Sequence, residues 1–297
     1  MFRRTAAHWP APEPPVELLP ARTVHVPGRG EFFLRDSGLD PAGNPEGPAV
    51  LLLHGWIATA DLNWAGQYAD LVGAGYRVLA IDHRGHGRGL RPLEPFRLTD
   101  CAADAAGVLR KLGVTGALVV GYSMGGTIAQ LIARDHPDVV GGLLLSGTAQ
   151  HFQEPEVRRV WQAMGVMHLA VSLTPGGFWA WGFRRAGIRE GRRAAWLRSE
   201  LLRHSARDIA EAGRELGRFD SRPWLRPLPF PAAVVLTSRD RSVSPRKQRE
   251  LAEALGAEVF AAPIDHMDIT FGAAAYNPVL VAALAHVRER SDAATTA

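Results

Sequence analysis

The sequence predicts an α/β chain: a mostly parallel, doubly wound sheet covered by helices on both faces, with a helical segment inserted into it. Three observations carry this. Continuous apolar runs, too short for helices, stop at glycine or a polar residue, as strands buried on both faces do. Helix-like segments alternate with them, which argues for parallel strands joined by crossovers. Between residues 148 and 226 the alternation is lost, and it resumes afterwards. A chain of 297 residues, 46% apolar and 22% charged, can bury one large core.

In chain order, residues 1–21 read as a proline-rich arm, with "PAPEPPVELLP" (10–20) unable to pack as helix or strand. Its charged start, Met1-Phe2-Arg3-Arg4, is followed by no apolar run, so no secretory signal is expected. The first part of the core, 22–147, opens with two extended runs flanking "PGRG", a hairpin pattern. Buried strands follow at "AVLLLHG" (49–55), "YRVLAID" (76–82), "GALVVGYS" (116–123) and "VVGGLLLSG" (139–147). Between them lie helices over 100–113, begun by Asp100 and stopped by Gly113, and over 124–137, ending against Pro137. The stretch 148–226 reads as helices rich in Trp, Arg and Gly. Strands at 232–240 and 257–263 and a helix at 277–290 complete the core over 227–290, and 291–297 is expected to be a disordered tail.

Composition excludes several classes. Cys101 is the only cysteine, so no intrachain disulfide can form; it reads as a small buried hydrophobe in a cytoplasmic protein. No run approaches the eighteen or so apolar residues of a membrane span. The formal charge of +4 comes from 32 arginines and two lysines, with no clustered nucleic-acid module. No Gly-x-Gly-x-x-Gly opens a helix, and Gly85-His86-Gly87 is too short to cradle phosphate, so no nucleotide cofactor is expected. His54 and His86 lack metal-ligand spacing and read as hydrogen-bonding groups in glycine turns. Asp82 and Arg84 read as locally paired charges, so no metal is expected either.

One strand ends unusually. In "VVGYSMGG" (119–126) an apolar run stops at Ser123, held between Gly121 and Gly125. Gly-x-Ser-x-Gly between strand and helix forms a sharp elbow whose hydroxyl projects beyond the sheet, where ligands bind in parallel sheets. The helix that follows offers unpaired N–H groups to a developing oxyanion.

Five motifs in order resemble the α/β-hydrolase superfamily, in the branch with a helical cap. They are the elbow 121–126, His54-Gly55-Trp56, Asp82-His83-Arg84-Gly85-His86-Gly87, Asp240 in "LTSRDRSVSP" and His266 in "IDHMD". The resemblance covers roughly residues 22 to 290 and is weakest at 148–226. It implies Ser123 as nucleophile, His266 as base and Asp240 as the acid that orients it, in the chain order of this fold. The backbone N–H groups of Met124 and Trp56 would form the oxyanion hole. Asp265 stands where the family has glycine. Asp265 and Asp268 could also contact His266 locally, and Asp220 is a remote alternative acid.

The candidate substrate pocket comprises Trp56, Tyr122, Trp161, Met164, Phe178, Trp181 and Met267. Aromatics and methionines there suit an acyl chain or aromatic ring. Residues 150–226 hold 14 Arg against eight Asp and Glu, a formal +6. The reading taken is a solvated helix face; the alternative is a cap that attracts anionic lipid surfaces or carboxylated substrates, which lacks a clean apolar stripe opposite the charges in the sequence. The expected activity is hydrolysis of small esters or lipid-like substrates through an acyl-serine, without a cofactor. Carbon–carbon hydrolase, thioesterase, acyltransferase and haloperoxidase-like chemistries share the resemblance, as does a non-catalytic ligand receptor. Epoxide hydrolases and dehalogenases of this fold carry Asp at the elbow, and Ser123 argues against both.

Overall fold

A computed structural model of the chain describes residues 11–38, 47–185, 187–189, 191–270 and 272–296. The hairpin forms as the sequence predicts: β1 (Ala21–Val26) pairs antiparallel with β2 (Gly30–Asp36). Among the described residues six strands follow: β3 (Ala49–Leu53), β4 (Arg77–Ile81), β5 (Ala117–Tyr122), β6 (Val140–Ser146), β7 (Ala232–Thr237) and β8 (Glu258–Ala262). One sheet contains all eight in the order β1-β2-β4-β3-β5-β6-β7-β8. From β4 to β8 every pairing is parallel.

Side chains alternate across this sheet, as strand geometry demands. Val50 and Leu52 join the core beneath α1 (Ala60–Gly73) and α10 (Ala273–Thr296). Leu51 and Leu53 join the core beneath α2 (Leu98–Lys111), α3 (Met124–Asp135) and α9 (Pro245–Leu255). Both sets are fully buried, which is why the strands read as continuous rather than alternating apolar runs.

The strand order fixes where a ligand can bind. From β3 the chain crosses through α1 to β4 on one side; from β4 it crosses through α2 to β5 on the other side of β3. The connections leaving β3 and β5 therefore depart to opposite faces and open a crevice at their carboxyl ends.

Among the described residues, five helices stand between β6 and β7: α4 (Pro155–Gln162), α5 (Met164–Leu173), α6 (Pro175–Arg185), α7 (Arg192–Leu201) and α8 (Ala206–Arg218). Two of them anchor the insertion above the crevice. On α8 the Ile209 carbonyl accepts from the Trp56 indole (2.9 Å), and Glu211 accepts from the Phe96 amide (2.7 Å). On α7 buried Glu200 takes both Arg88 nitrogens at 2.6 and 2.9 Å and the Thr59 hydroxyl at 3.1 Å. The Asp82–Gly87 turn explains its own glycines here. A Cβ on Gly85, at φ +74°, would overlap the Asp208 side chain of α8. A Cβ on Gly87 would overlap the Asp82 carboxylate, which accepts from the Ala60 and Arg88 amides at 2.7 and 2.8 Å.

Three expectations need correcting or completing. α2 begins at Leu98 rather than Asp100, whose carboxylate meets Arg84 at 3.2 Å instead of capping. Residues 291–296 continue α10 rather than forming a disordered tail, tied by the Ser291 hydroxyl to the Gly141 carbonyl at 2.9 Å; Ala297 lies outside the described residues. Of the arm, 1–10 also lie outside; 11–20 form no helix or strand, and Leu18 and Leu19 pack against the α1/α10 core. Cys101 is buried in α2, and burial pushes its thiol well above the ordinary range. Among the described residues no helix is long and apolar enough to cross a membrane.

Candidate active site

Ser123 sits at φ 54°, ψ −117°, a conformation serine rarely adopts. Its surroundings impose it. A Cβ on Gly121 would overlap the Gly125 carbonyl, one on Gly125 the Leu53 carbonyl, and one on Gly126 the Thr148 side chain. Only glycine fits at all three places, so β5 turns directly into α3 and the Ser123 hydroxyl stands clear of the strand. The Ser123 amide donates to the Ser146 carbonyl of β6 (3.0 Å), and its carbonyl accepts from Gly126 (2.9 Å).

His266 and Asp240 arrive from neighbouring strand ends. Asp240 lies three residues past β7, and His266 lies in a short 3-10 turn, His266–Ile269, after β8. Ser123 Oγ is 3.1 Å from His266 Nε2, and His266 Nδ1 is 2.7 Å from Asp240 Oδ2. An ionised carboxylate can only accept, so in the neutral ring Nδ1 carries the proton and Nε2 is free to accept from Ser123.

The acid is itself held. Asp240 Oδ1 accepts from the Ser242 and Val243 amides at 2.8 and 2.7 Å, and Oδ2 accepts from the Thr237 hydroxyl at 2.8 Å. Buried Gln248 on α9 donates to Thr237 Oγ1 (2.7 Å) and to the Val243 carbonyl (2.8 Å), and accepts from the Thr237 amide (3.0 Å). Because Gln248 occupies the hydroxyl as donor, the Thr237 proton is directed to Asp240.

Neither neighbouring carboxylate reaches the His266 ring by a hydrogen bond. Asp265 accepts from the His266 backbone amide (2.7 Å) and pairs with Arg241, tying the His266 loop to the Asp240 loop. Asp268 accepts from the Asp265 amide (2.9 Å), completing a capping box. Asp220 pairs with Arg222 on the surface.

Opposite the elbow, the loop after β3 is strained as well. Ile57 sits at φ 59°, which a β-branched residue seldom tolerates. Register sets Leu53 beside Gly121, so Gly55 faces Ser123; a Cβ on Gly55 would lie 3.3 Å from the Ser123 Cβ. Asn63 accepts from the Gly55 amide at 2.8 Å. The amides of Trp56 and of Met124, first residue of α3, find no protein acceptor among the described residues.

His54 underpins this loop as a neutral ring. Its Nε2 accepts from the His83 amide (3.0 Å), which leaves Nδ1–H to donate to the Gly55 carbonyl (2.8 Å). Burial and nearby His83 hold its pKa well below the usual histidine range, and burial carries His83 down to about 3. Among the described residues no group of three or more His, Cys, Asp or Glu could hold a metal ion.

Residues 48–166 match the sequence profile described as the alpha/beta hydrolase fold. A non-heme haloperoxidase of Rhodococcus erythropolis is 30% identical over 241 residues, 76% of this chain and 84% of that protein. The chain belongs to the α/β-hydrolase family. Epoxide hydrolase B of Mycobacterium tuberculosis is 39% identical over 107 residues, but the match spans 35% of this chain and 30% of that protein. The crystal structure of the enol-lactonase from Burkholderia xenovorans LB400 superposes with a TM-score of 0.71 at 26% identity, covering 89% of this chain and all of that one.

The candidate pocket residues of this α/β hydrolase fall into three groups. Trp56 and Trp161 meet edge to face with ring centroids 5.4 Å apart, and buried Met164 packs beside them against Gly213 of α8. Tyr122 is buried, and its hydroxyl donates to the His266 carbonyl at 2.7 Å. Phe178 is half-buried against Trp179, whereas Trp181 and Met267 are 52% and 68% exposed. Sequence reasoning missed Asn63, Thr237, Arg241 and Gln248. Only Thr237, a polar residue closing the apolar strand "AAVVLT", left a visible signal.

Proposed function

We propose that the protein is a serine hydrolase that cleaves carboxylic esters bearing apolar acyl or aromatic groups through an acyl-serine intermediate. The observation that carries this is the chain of contacts from Ser123 Oγ through His266 (3.1 Å) to Asp240 (2.7 Å) at a strained elbow. A free serine is a poor nucleophile; an imidazole within hydrogen-bonding distance removes its proton as it attacks.

Ser123 Oγ adds to the ester carbonyl carbon while His266 Nε2 takes its proton. The resulting imidazolium faces Asp240, whose remaining lone pairs are occupied by Thr237, Ser242 and Val243, so the carboxylate keeps its aim. Negative charge gathers on the former carbonyl oxygen, and the Met124 and Trp56 amides receive it. Such donors act through preorganisation, each worth about 3–4 kcal/mol in the transition state. Collapse expels the alcohol, protonated by His266; water then attacks the acyl-serine by the same route. Trp56, in the loop after β3, and Trp161 and Met164 of the helical insertion form an apolar cluster, which supports an apolar acyl group.

A serine nucleophile fits attack at an acyl carbon, and this weighs against the epoxide chemistry named for the Mycobacterium tuberculosis relative. The haloperoxidase relative favours one second reading, in which peroxide rather than water resolves the acyl-serine. Hydrolysis of p-nitrophenyl esters from acetyl to long-chain acyl, with wild type beside Ser123→Ala, tests the proposal. The expected loss in the variant is at least about a thousandfold in kcat/KM. Equal rates would remove Ser123 from the reaction. Adding peroxide and halide to the same assay separates the second reading.

A further inference from the structure

The helical insertion leaves an apolar face bare. On α5, Val166, Leu169 and Leu173 are 73%, 59% and 72% exposed. Their spacing of three and four residues places them on one side of the helix. Met164 and Val171 lie on the opposite side, buried, where α5 packs on α8. On α6, which packs on α5, exposed Trp181 carries the Arg185 guanidinium 5.1 Å above its ring.

The segment that carries this face is basic. Residues 155–193 contain seven arginines and two glutamates, a formal +5, while the rest of the chain sums to −1. Arg158, Arg159, Arg184 and Arg185 are all exposed. We infer that this face docks onto an anionic lipid surface, with the Val166-Leu169-Leu173 stripe in the headgroup boundary and the arginines on lipid phosphates. Aliphatic residues along one side, a tryptophan and an arginine rim together are the composition of an interfacial helix. The asymmetry of charge also orients this side of the molecule toward a negative surface. A second copy of the chain is a poorer occupant, because a self-complementary contact would bring two +5 segments together.

Docking needs no turnover, so the test uses the full chain with Ser123→Ala, which prevents lipid cleavage and keeps this inference separable from the proposed activity. Co-flotation is measured with vesicles of phosphatidylcholine alone and of equal parts phosphatidylcholine and phosphatidylglycerol. Binding to the anionic vesicles only is expected. Arg184→Gln with Arg185→Gln should weaken it about 30-fold. Leu169→Gln with Leu173→Gln should abolish it, while ester hydrolysis by the same substitutions in the Ser123 background is unchanged. Salt should release the protein, since the screening length falls from about 10 Å at 0.1 M to about 3 Å at 1 M. No binding, or binding equal on both vesicles and indifferent to these substitutions, overturns the inference. So does a dimer in sedimentation that Leu169→Gln/Leu173→Gln dissociates without any vesicle binding.

Discussion

Gln248 offers a sharp test of how the acid is held. Gln248→Met keeps side-chain length and volume but removes three hydrogen bonds, made at 2.7, 2.8 and 3.0 Å. The Thr237 amide and the Val243 carbonyl are left without their partner at a fully buried site. Each orphaned group costs about 1–3 kcal/mol, so the variant should lose roughly 2–6 kcal/mol of stability. Thr237→Val removes instead the hydroxyl bond to the Asp240 carboxylate and leaves one Gln248 N–H unpaired. A bond to a charged group contributes about 1.5–3 kcal/mol. If all of it is felt in the transition state, kcat/KM falls roughly 10- to 150-fold, which is the ceiling.

The two substitutions share the Thr237–Gln248 contact, so they should not add. In the double variant the unpaired Gln248 N–H no longer exists, and the combined loss should fall short of the sum by about 1–3 kcal/mol. Urea denaturation of the four proteins gives the cycle, and ester hydrolysis gives the parallel activity comparison. Strict additivity, or a Gln248→Met protein with wild-type midpoint and rate, would refute the claim that Gln248 directs the Thr237 proton to Asp240.

Gly125→Ala should lose at least about 3 kcal/mol and most activity, because its Cβ meets the Leu53 and His54 carbonyls, whereas Gly182→Ala, with open space on helix α6, should be neutral or stabilising by up to about 1 kcal/mol; thermal unfolding of both checks the contrast. Tyr122→Phe orphans the His266 carbonyl and should lower stability by about 1–2 kcal/mol with a several-fold drop in kcat, read by the same two assays. Burial raises Asp82 from 3.8 to about 6 in the folded chain. The native state then binds its proton more tightly than the unfolded one, so stability falls as pH climbs between these values, by about 3 kcal/mol in all. Wild-type stability measured against Asp82→Asn should therefore decline from pH 4 to pH 7; a flat difference would show that Asp82 does not titrate this way.

Much of this was legible because the relevant forces act locally or repeat. Strands buried on both faces must be continuously apolar, and β3 to β7 were found where such runs lay. The elbow was legible because steric exclusion at Gly121 and Gly125 leaves a mark in sequence that no alternative residue can imitate. Asn63 and Gln248 were not, because a buried carboxamide on a helix looks like any polar helix position until the strand end it serves is known. The exposed stripe on α5 escaped for a related reason. "MGVMHLAVSL" is apolar nearly all round, and only packing against α8 decides which residues are covered and which are left to solvent. Asp100 and residues 291–296 went wrong through tertiary contacts, an ion pair to Arg84 and a bond to Gly141, that local propensity does not contain.

The two strained residues of the site are related by topology. Ser123 and Ile57 both have φ near +55°, and they follow adjacent parallel strands, β5 and β3, at the point where the chain leaves to opposite faces. Each departure is a sharp turn and each turn presents polar groups: the hydroxyl of Ser123 and the amide of Met124 on one side, the amide of Trp56 on the other. Positive φ at such residues costs about 1–3 kcal/mol apiece, and nothing in the turns themselves offsets it. What offsets it lies in the neighbours: the close fit of Gly55 against Ser123, the Asn63 bond to the Gly55 amide, the His54 bridge from Gly55 to His83, and the Ser146 carbonyl that receives the Ser123 amide. Their placement makes sense if the strain is retained for what it presents, a hydroxyl and two amides at the ends of neighbouring strands.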